Sequence, residues 1–159
     1  MSKKLFTLVS LVFLCTGLAL AQDKNSDLAI VVNPASSLDN VASAELTKIF
    51  KAEKAKSPDG VKYIIAMRDA GSPERNAALG SIYKMTDPEY EKFFLQATFA
   101  GTVQSAPKQI SSGAAVRQLV ATEKGAIGYL RASEADATVK VLKIDGKSPG
   151  DPDYPIKIK

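Results

Sequence analysis

Histidine is absent from the 159 residues, and cysteine occurs once, as Cys15. Without an imidazole there is no serine–histidine triad, no histidine general base and none of the common zinc sets. A single cysteine cannot close a disulfide within the chain, so stability has to come from a packed core. Neither a G-x-x-x-x-G-K-[ST] phosphate loop nor a G-x-G-x-x-G turn is present, which leaves nucleotide chemistry without a home. No run of acids with a central glycine suggests a calcium loop, and the acids of residues 145–153, set among glycines and prolines, read as a solvated turn. Lysine and arginine form no run, and aromatic residues are not interleaved with them as a base-stacking surface requires. These absences exclude nucleic acid as a partner and leave no expected catalytic residue, metal ligand or cofactor. The chain reads as a non-enzyme.

The amino terminus has the three parts of an export signal. Lys3 and Lys4 supply positive charge, residues 5–14 are mostly apolar, and Ala19-Leu20-Ala21 ends the segment with small residues at the peptidase positions. A leader over residues 1–21, cleaved before Gln22, is expected. Its apolar portion is shorter than the roughly 20 residues that cross a bilayer, and Ser10, Thr16 and Gly17 interrupt it, so no stable membrane anchor is expected after cleavage. The bulky Leu14 before Cys15 argues against lipidation. Removal of Lys3 and Lys4 with the leader leaves 19 basic against 17 acidic residues, a charge of about +2 in place of +4. Residues 22–159 have the length of one domain, periplasmic or otherwise exported.

Along that domain, strand-like and helix-like segments alternate. Leu28-Ala29-Ile30-Val31-Val32 reads as a buried strand, and residues 61–67 as a second one stopping at Arg68-Asp69-Ala70-Gly71. Ser43 is expected to cap a helix carrying Leu46, Ile49 and Phe50 inward. Ser72-Pro73-Glu74 starts another, with Leu79, Ile82 and Tyr83 on its apolar side. Thr86 and Glu89 form a capping box for a helix with Tyr90, Phe93, Phe94 and Ala97. Ser111-Ser112-Gly113 opens a helix with Val116, Leu119 and Val120 inward, followed by a strand at Ala126-Ile127-Gly128-Tyr129 and one over residues 139–144. This order predicts an α/β fold: a single three-layer domain with a mixed, mostly parallel sheet flanked by helices. In such sheets ligands meet the loops that follow the strands.

On that edge, Gly71-Ser72 and Ser111-Ser112-Gly113 offer hydroxyls and free backbone N–H groups to an anion, and Arg68 and Arg75 offer charge. The same serines also cap their own helices, and the two arginines also suit surface ion pairs. Tyr129 reads as a packed ring with its hydroxyl tied to backbone, and Gly125 and Gly128 as close-packing positions.

The order Leu46-x-x-Ile49-Phe50, Pro58-Asp59-Gly60, Arg68-Asp69-x-Gly71-Ser72, Phe99-x-Gly101 and Gly125-Ala126-Ile127-Gly128-Tyr129 resembles the phosphate-binding type of ABC-transporter substrate-binding protein, with the type II periplasmic binding protein fold. The likeness runs from Leu28 to about Ile144. It implies two α/β lobes with the ligand between them in the family, and the length of one lobe here. It further implies phosphate contacts at Arg68, Asp69, Gly71 and Ser72, with Ser111, Ser112 and Gly113 on the same face. Two departures stand out. Pro73 and Glu74 replace the usual glycine and threonine, which removes one amide donor and adds a negative charge. The tryptophan often found before the proline-aspartate-glycine turn is missing, with Lys56-Ser57 there instead.

Two functions follow from different classes. One is a single-lobe binder of phosphate or another small oxyanion, acting weakly or completing its site with a partner chain or a second copy of itself. The other is an envelope interaction module that keeps the fold without a ligand and holds a protein partner.

Overall fold

In the computed structural model, residues 26–103 and 106–159 are described. The expected leader, its cleavage site before Gln22 and Cys15 lie outside them. Among the described residues, seven strands and four helices make up the frame: β1 (Leu28–Val32), β2 (Asn40–Val41), α1 (Ser43–Phe50), β3 (Ile64–Arg68), α2 (Pro73–Ala78), α3 (Asp87–Phe99), β4 (Lys108–Ile110), α4 (Gly113–Thr122), β5 (Ala126–Arg131), β6 (Lys140–Val141) and β7 (Lys143–Ile144). A π-helical turn, Leu79–Tyr83, prolongs α2, and a 3-10 turn, Ala132–Glu134, follows β5. The main sheet has the order β4-β3-β5-β1-β6, and β2 pairs with β7 beside it. β3 runs parallel to β4 and β5, β1 runs antiparallel to β5 and β6, and β2 and β7 are parallel, so the architecture is α/β with a mixed sheet.

The period-two geometry of a strand decides how the two faces are filled. Leu28, Ile30 and Val32 of β1 point to the larger core, with Met67, Ile127 and Tyr129 and with Leu46, Ile49, Phe50, Tyr83, Tyr90 and Phe94 from the helical side. Ala29 and Val31 point to the other face, where Ala66, Ala126 and Leu130 meet Val116 and Val120 of α4. That second face carries small residues because α4 lies close. A Cβ at Gly128 would stand 2.9 Å from both the Ala66 Cβ and the Val116 Cγ1, and one at Gly125 would overlap the Lys62 carbonyl. Both glycines therefore serve close packing, as expected.

Three local expectations are corrected. The strand expected over residues 61–67 starts later, at Ile64, because residues 56–62 close a turn through the Lys56–Lys62 bridge and the Ser57 N–H to the Val61 carbonyl at 2.9 Å. Residues 139–144 are two strands: Leu142 donates its N–H to Ile30 at 2.9 Å and the chain then leaves β1 to join β2. Ser43 is the first residue of α1 and Ala42 is its cap. The capping charge comes from Asp145, which accepts the Ser43 N–H at 2.9 Å as well as its hydroxyl. These bonds, the hydroxyl first, hold the Asp145 carboxyl below its usual range.

The other helix starts follow the sequence. Ser72 Oγ accepts the Arg75 N–H at 3.2 Å, Ser112 Oγ accepts the Ala115 N–H at 3.1 Å, and Glu89 closes its box on the Thr86 N–H at 2.7 Å. In α3, Tyr90, Phe94 and Ala97 are buried, whereas Leu95 and Phe99, one turn apart, are exposed. Among the described residues no helix is long and apolar enough to cross a membrane.

Candidate functional site

Because β3, β4 and β5 are parallel, their carboxyl ends reach the same edge of the sheet, and the loops that follow them meet there. β3 ends at Arg68 and passes through Asp69-Ala70-Gly71 to the Ser72 cap of α2. Gly71, at φ +81°, takes the left-handed turn that this short connection requires. Ser72 donates its hydroxyl to the Asp69 carbonyl at 2.9 Å, which holds the loop closed. β4 ends at Ile110 and leads through Ser111 to the Ser112 cap of α4.

Arg68 joins the two loops. Its guanidinium donates to the Ser111 carbonyl at 3.2 Å, and its backbone N–H donates to the Tyr129 hydroxyl at 3.1 Å. Its Nε is buried and has no acceptor among the described residues. A buried donor without an acceptor is costly, so this edge has an unmet demand for one. Tyr129, which anchors Arg68, is wholly buried, and that burial pushes its hydroxyl above the ordinary tyrosine range. Arg68, Asp69, Gly71, Ser72, Ser111, Ser112 and Gly113 are thus neighbouring parts of one edge.

Arg75, expected to offer charge to an anion or else to form a surface ion pair, is turned into the protein instead. Its side chain is fully buried, with Nε 2.9 Å from Asp87 Oδ1, one terminal nitrogen 2.5 Å from the same oxygen and 2.9 Å from Glu91 Oε1, and the other 3.2 Å from the Arg68 carbonyl. The guanidinium also lies over the Tyr90 ring, 4.8 Å from its centroid. Burial opposes the charge, but the Asp87 and Glu91 carboxylates outweigh it and the net shift of Arg75 is upward. The group is spent on holding the end of β3 against α3.

Two carboxylates stand at the helix starts. Glu74, in the first turn of α2, is buried and meets Arg131 Nε at 2.5 Å, so the negative charge that the sequence places there is compensated. Glu134 accepts the Arg131 N–H at 3.2 Å, and its carboxylate packs so closely on Gly113 that a Cβ there would collide with it. Arg117 Nη1 donates to the Glu134 carbonyl at 2.6 Å and its Nε pairs with Asp136 at 3.2 Å. Arg131 and Glu134 went unread in the sequence. The available signal was their position just beyond the Gly-Ala-Ile-Gly-Tyr strand, on the edge where the other loops were already expected. Among the described residues no cluster of three or more acidic, histidine or cysteine side chains is arranged to hold a metal ion. Hydrogen-bond donors, one guanidinium without a full set of acceptors and fixed carboxylates make this an edge suited to binding charge.

No protein-family model matches the sequence, and no curated protein matches it significantly. Solved structures do match the fold. A Clostridium perfringens protein crystallised with bound phosphate, provisionally named a phosphate ABC transporter substrate-binding protein, is 16% identical at a TM-score of 0.67, over 83% of this chain and 52% of its own. PstS from Borrelia burgdorferi is 16% identical at 0.65, over 84% and 55%. An ABC-type phosphate transport receptor from Vibrio cholerae is 20% identical at 0.59, over 78% and 48%. The chain has the fold of a lobe of these binding proteins and spans about half the length of the structures it matches.

Proposed function

We propose that this chain is a non-enzymatic oxyanion-binding lobe whose ligand, phosphate or a group like it, meets the edge formed by Arg68, Asp69, Gly71, Ser72, Ser111, Ser112 and Gly113. The observation that carries the reading is Arg68: it ties two capped helix starts together through Ser111 while its buried Nε lacks an acceptor among the described residues. The proposal includes export behind residues 1–21, with 22–159 as the working domain in the periplasm or another envelope space. One wall of donors facing water binds weakly, because charge-assisted hydrogen bonds lose most of their strength in high dielectric. A partner chain or a second copy closing over the edge would raise the affinity.

Thermal unfolding tests this. At tenfold excess over a millimolar dissociation constant, phosphate adds about 1.4 kcal/mol to stability, or about 5 °C in Tm for a domain of this size. Sulfate and chloride at matched ionic strength are the comparison. A phosphate-specific rise that Arg68→Ala abolishes supports the reading, and no shift with any anion removes it. A second reading, an interaction module in the envelope, is favoured by the Glu134 carboxylate at the start of α4 and by exposed Leu95 and Phe99. It expects indifference to anions and a defined partner or self-association on crosslinking.

A further inference from the structure

Within the proposed anion edge, Glu134 has no role in the oxyanion reading so far, and its placement is unusual. Its carboxylate rests on Gly113, the first residue of α4. Ser112 Oγ caps the Ala115 N–H, further along the helix, so serine and glutamate do not share a donor. Glu74 is neutralised by Arg131, whereas Glu134 has no ion-pair partner among the described residues. It accepts the Arg131 backbone N–H, and is held there by the 3-10 turn at the end of β5 and by the Arg117 bond to its carbonyl. A carboxylate without an ion pair among the described residues is thereby fixed beside the positive end of a helix. That placement is favourable for the folded chain and unfavourable for a second anion.

We propose that Glu134 is the specificity-determining residue of this edge: its carboxylate acts as an internal competitor that an external oxyanion must displace, and it discriminates most strongly against dianions. This rests on the oxyanion reading above. The discrimination follows from Coulomb's law, since repulsion from one fixed charge is twice as large for a dianion as for a monoanion at the same distance. Lifting the charge therefore raises dianion affinity by the square of the factor for a monoanion. With carboxylate and ligand both at a half-wet edge, about tenfold for a dianion and about threefold for a monoanion is the expected scale.

The test compares the purified protein with its Glu134→Gln and Glu123→Gln variants. Glutamine keeps an acceptor oxygen for the Arg131 N–H, so the turn after β5 is retained, and Glu123 removes the same charge from the far end of α4. Binding of phosphate at pH 8, sulfate and nitrate is read from the amide signals of Gly113 and Ser72 at fixed ionic strength. Glu134→Gln is expected to tighten phosphate and sulfate about tenfold and nitrate about threefold, with Glu123→Gln unchanged. The same result in Glu134→Gln, beside a wild-type protein that binds nothing, supports the competitor role as well. Equal affinities in wild type and Glu134→Gln overturn it and leave the oxyanion reading standing. Absence of binding in both proteins overturns the two together, and equal gains in the two variants reduce Glu134 to one surface charge among others.

Discussion

Replacing Arg75 by methionine isolates what the buried guanidinium contributes. Methionine keeps the apolar length against Tyr90 and removes the charge and all the donors. Breaking a buried ion pair from one side costs about 3–5 kcal/mol when the remaining charge stays buried. Here the charges left behind are Asp87 and Glu91, 37% and 61% exposed, and they regain water. The Arg68 carbonyl loses a donor, and the contact with the face of Tyr90 is weakened. The loss is therefore about 2–3 kcal/mol, seen as a drop of about 6–12 °C in Tm. Urea unfolding of wild type, Arg75→Met and Arg75→Lys measures it. Lysine restores the charge without the planar fork that spans Asp87, Glu91 and a carbonyl, so most of the loss persists. An Arg75→Met protein within about 0.5 kcal/mol of wild type refutes the view that this side chain is a structural post, and returns Arg75 to the ligand-contact role read from the sequence.

Two further outcomes follow from burial. All five tyrosines are buried, and burial is the main cause that raises each of them, Tyr63 to about 12 and the others further. Tyrosines in the unfolded chain ionise near the ordinary value of 10.0 while the folded ones stay neutral, so this stabilisation is complete below that pH and is lost as pH rises through the folded values. Tyrosinate absorbance should rise in one cooperative step with loss of the fold, and five independent titrations near pH 10 would contradict the packing described. Gly125→Ala should cost at least about 2 kcal/mol in chemical denaturation, because its Cβ overlaps the Lys62 carbonyl and the backbone of two neighbouring segments must separate. A neutral Gly125→Ala would show that the entry to β5 is looser than this.

Much of the frame was legible residue by residue. The all-apolar β1, the serine caps at Ser72 and Ser112, the capping box of Thr86 and Glu89, and the packing roles of Tyr129 and Gly128 depend on neighbours within a turn or on side-chain size. The gathering of the 68–72 and 111–113 loops was legible too, because alternation of strands and helices implies parallel neighbours and hence one shared edge. Asp145 could not be read as the partner of Ser43, since the two are 102 residues apart and no local pattern joins them.

The amino-acid sequence by itself determined the order of helices and strands, the starts of α2, α3 and α4, which faces are apolar, and that catalysis by histidine or clustered cysteine is closed to this chain. Those properties come from short-range hydrogen bonding, side-chain volume and composition. The tertiary structure alone decided that Arg75 is buried on Asp87 and Glu91, that Glu74 is neutralised by Arg131, that residues 139–144 divide between two sheets, and that the Glu134 carboxylate rests on Gly113. Each is a contact between segments distant along the chain, and a charge acquires its meaning there from the dielectric and the partner that packing supplies.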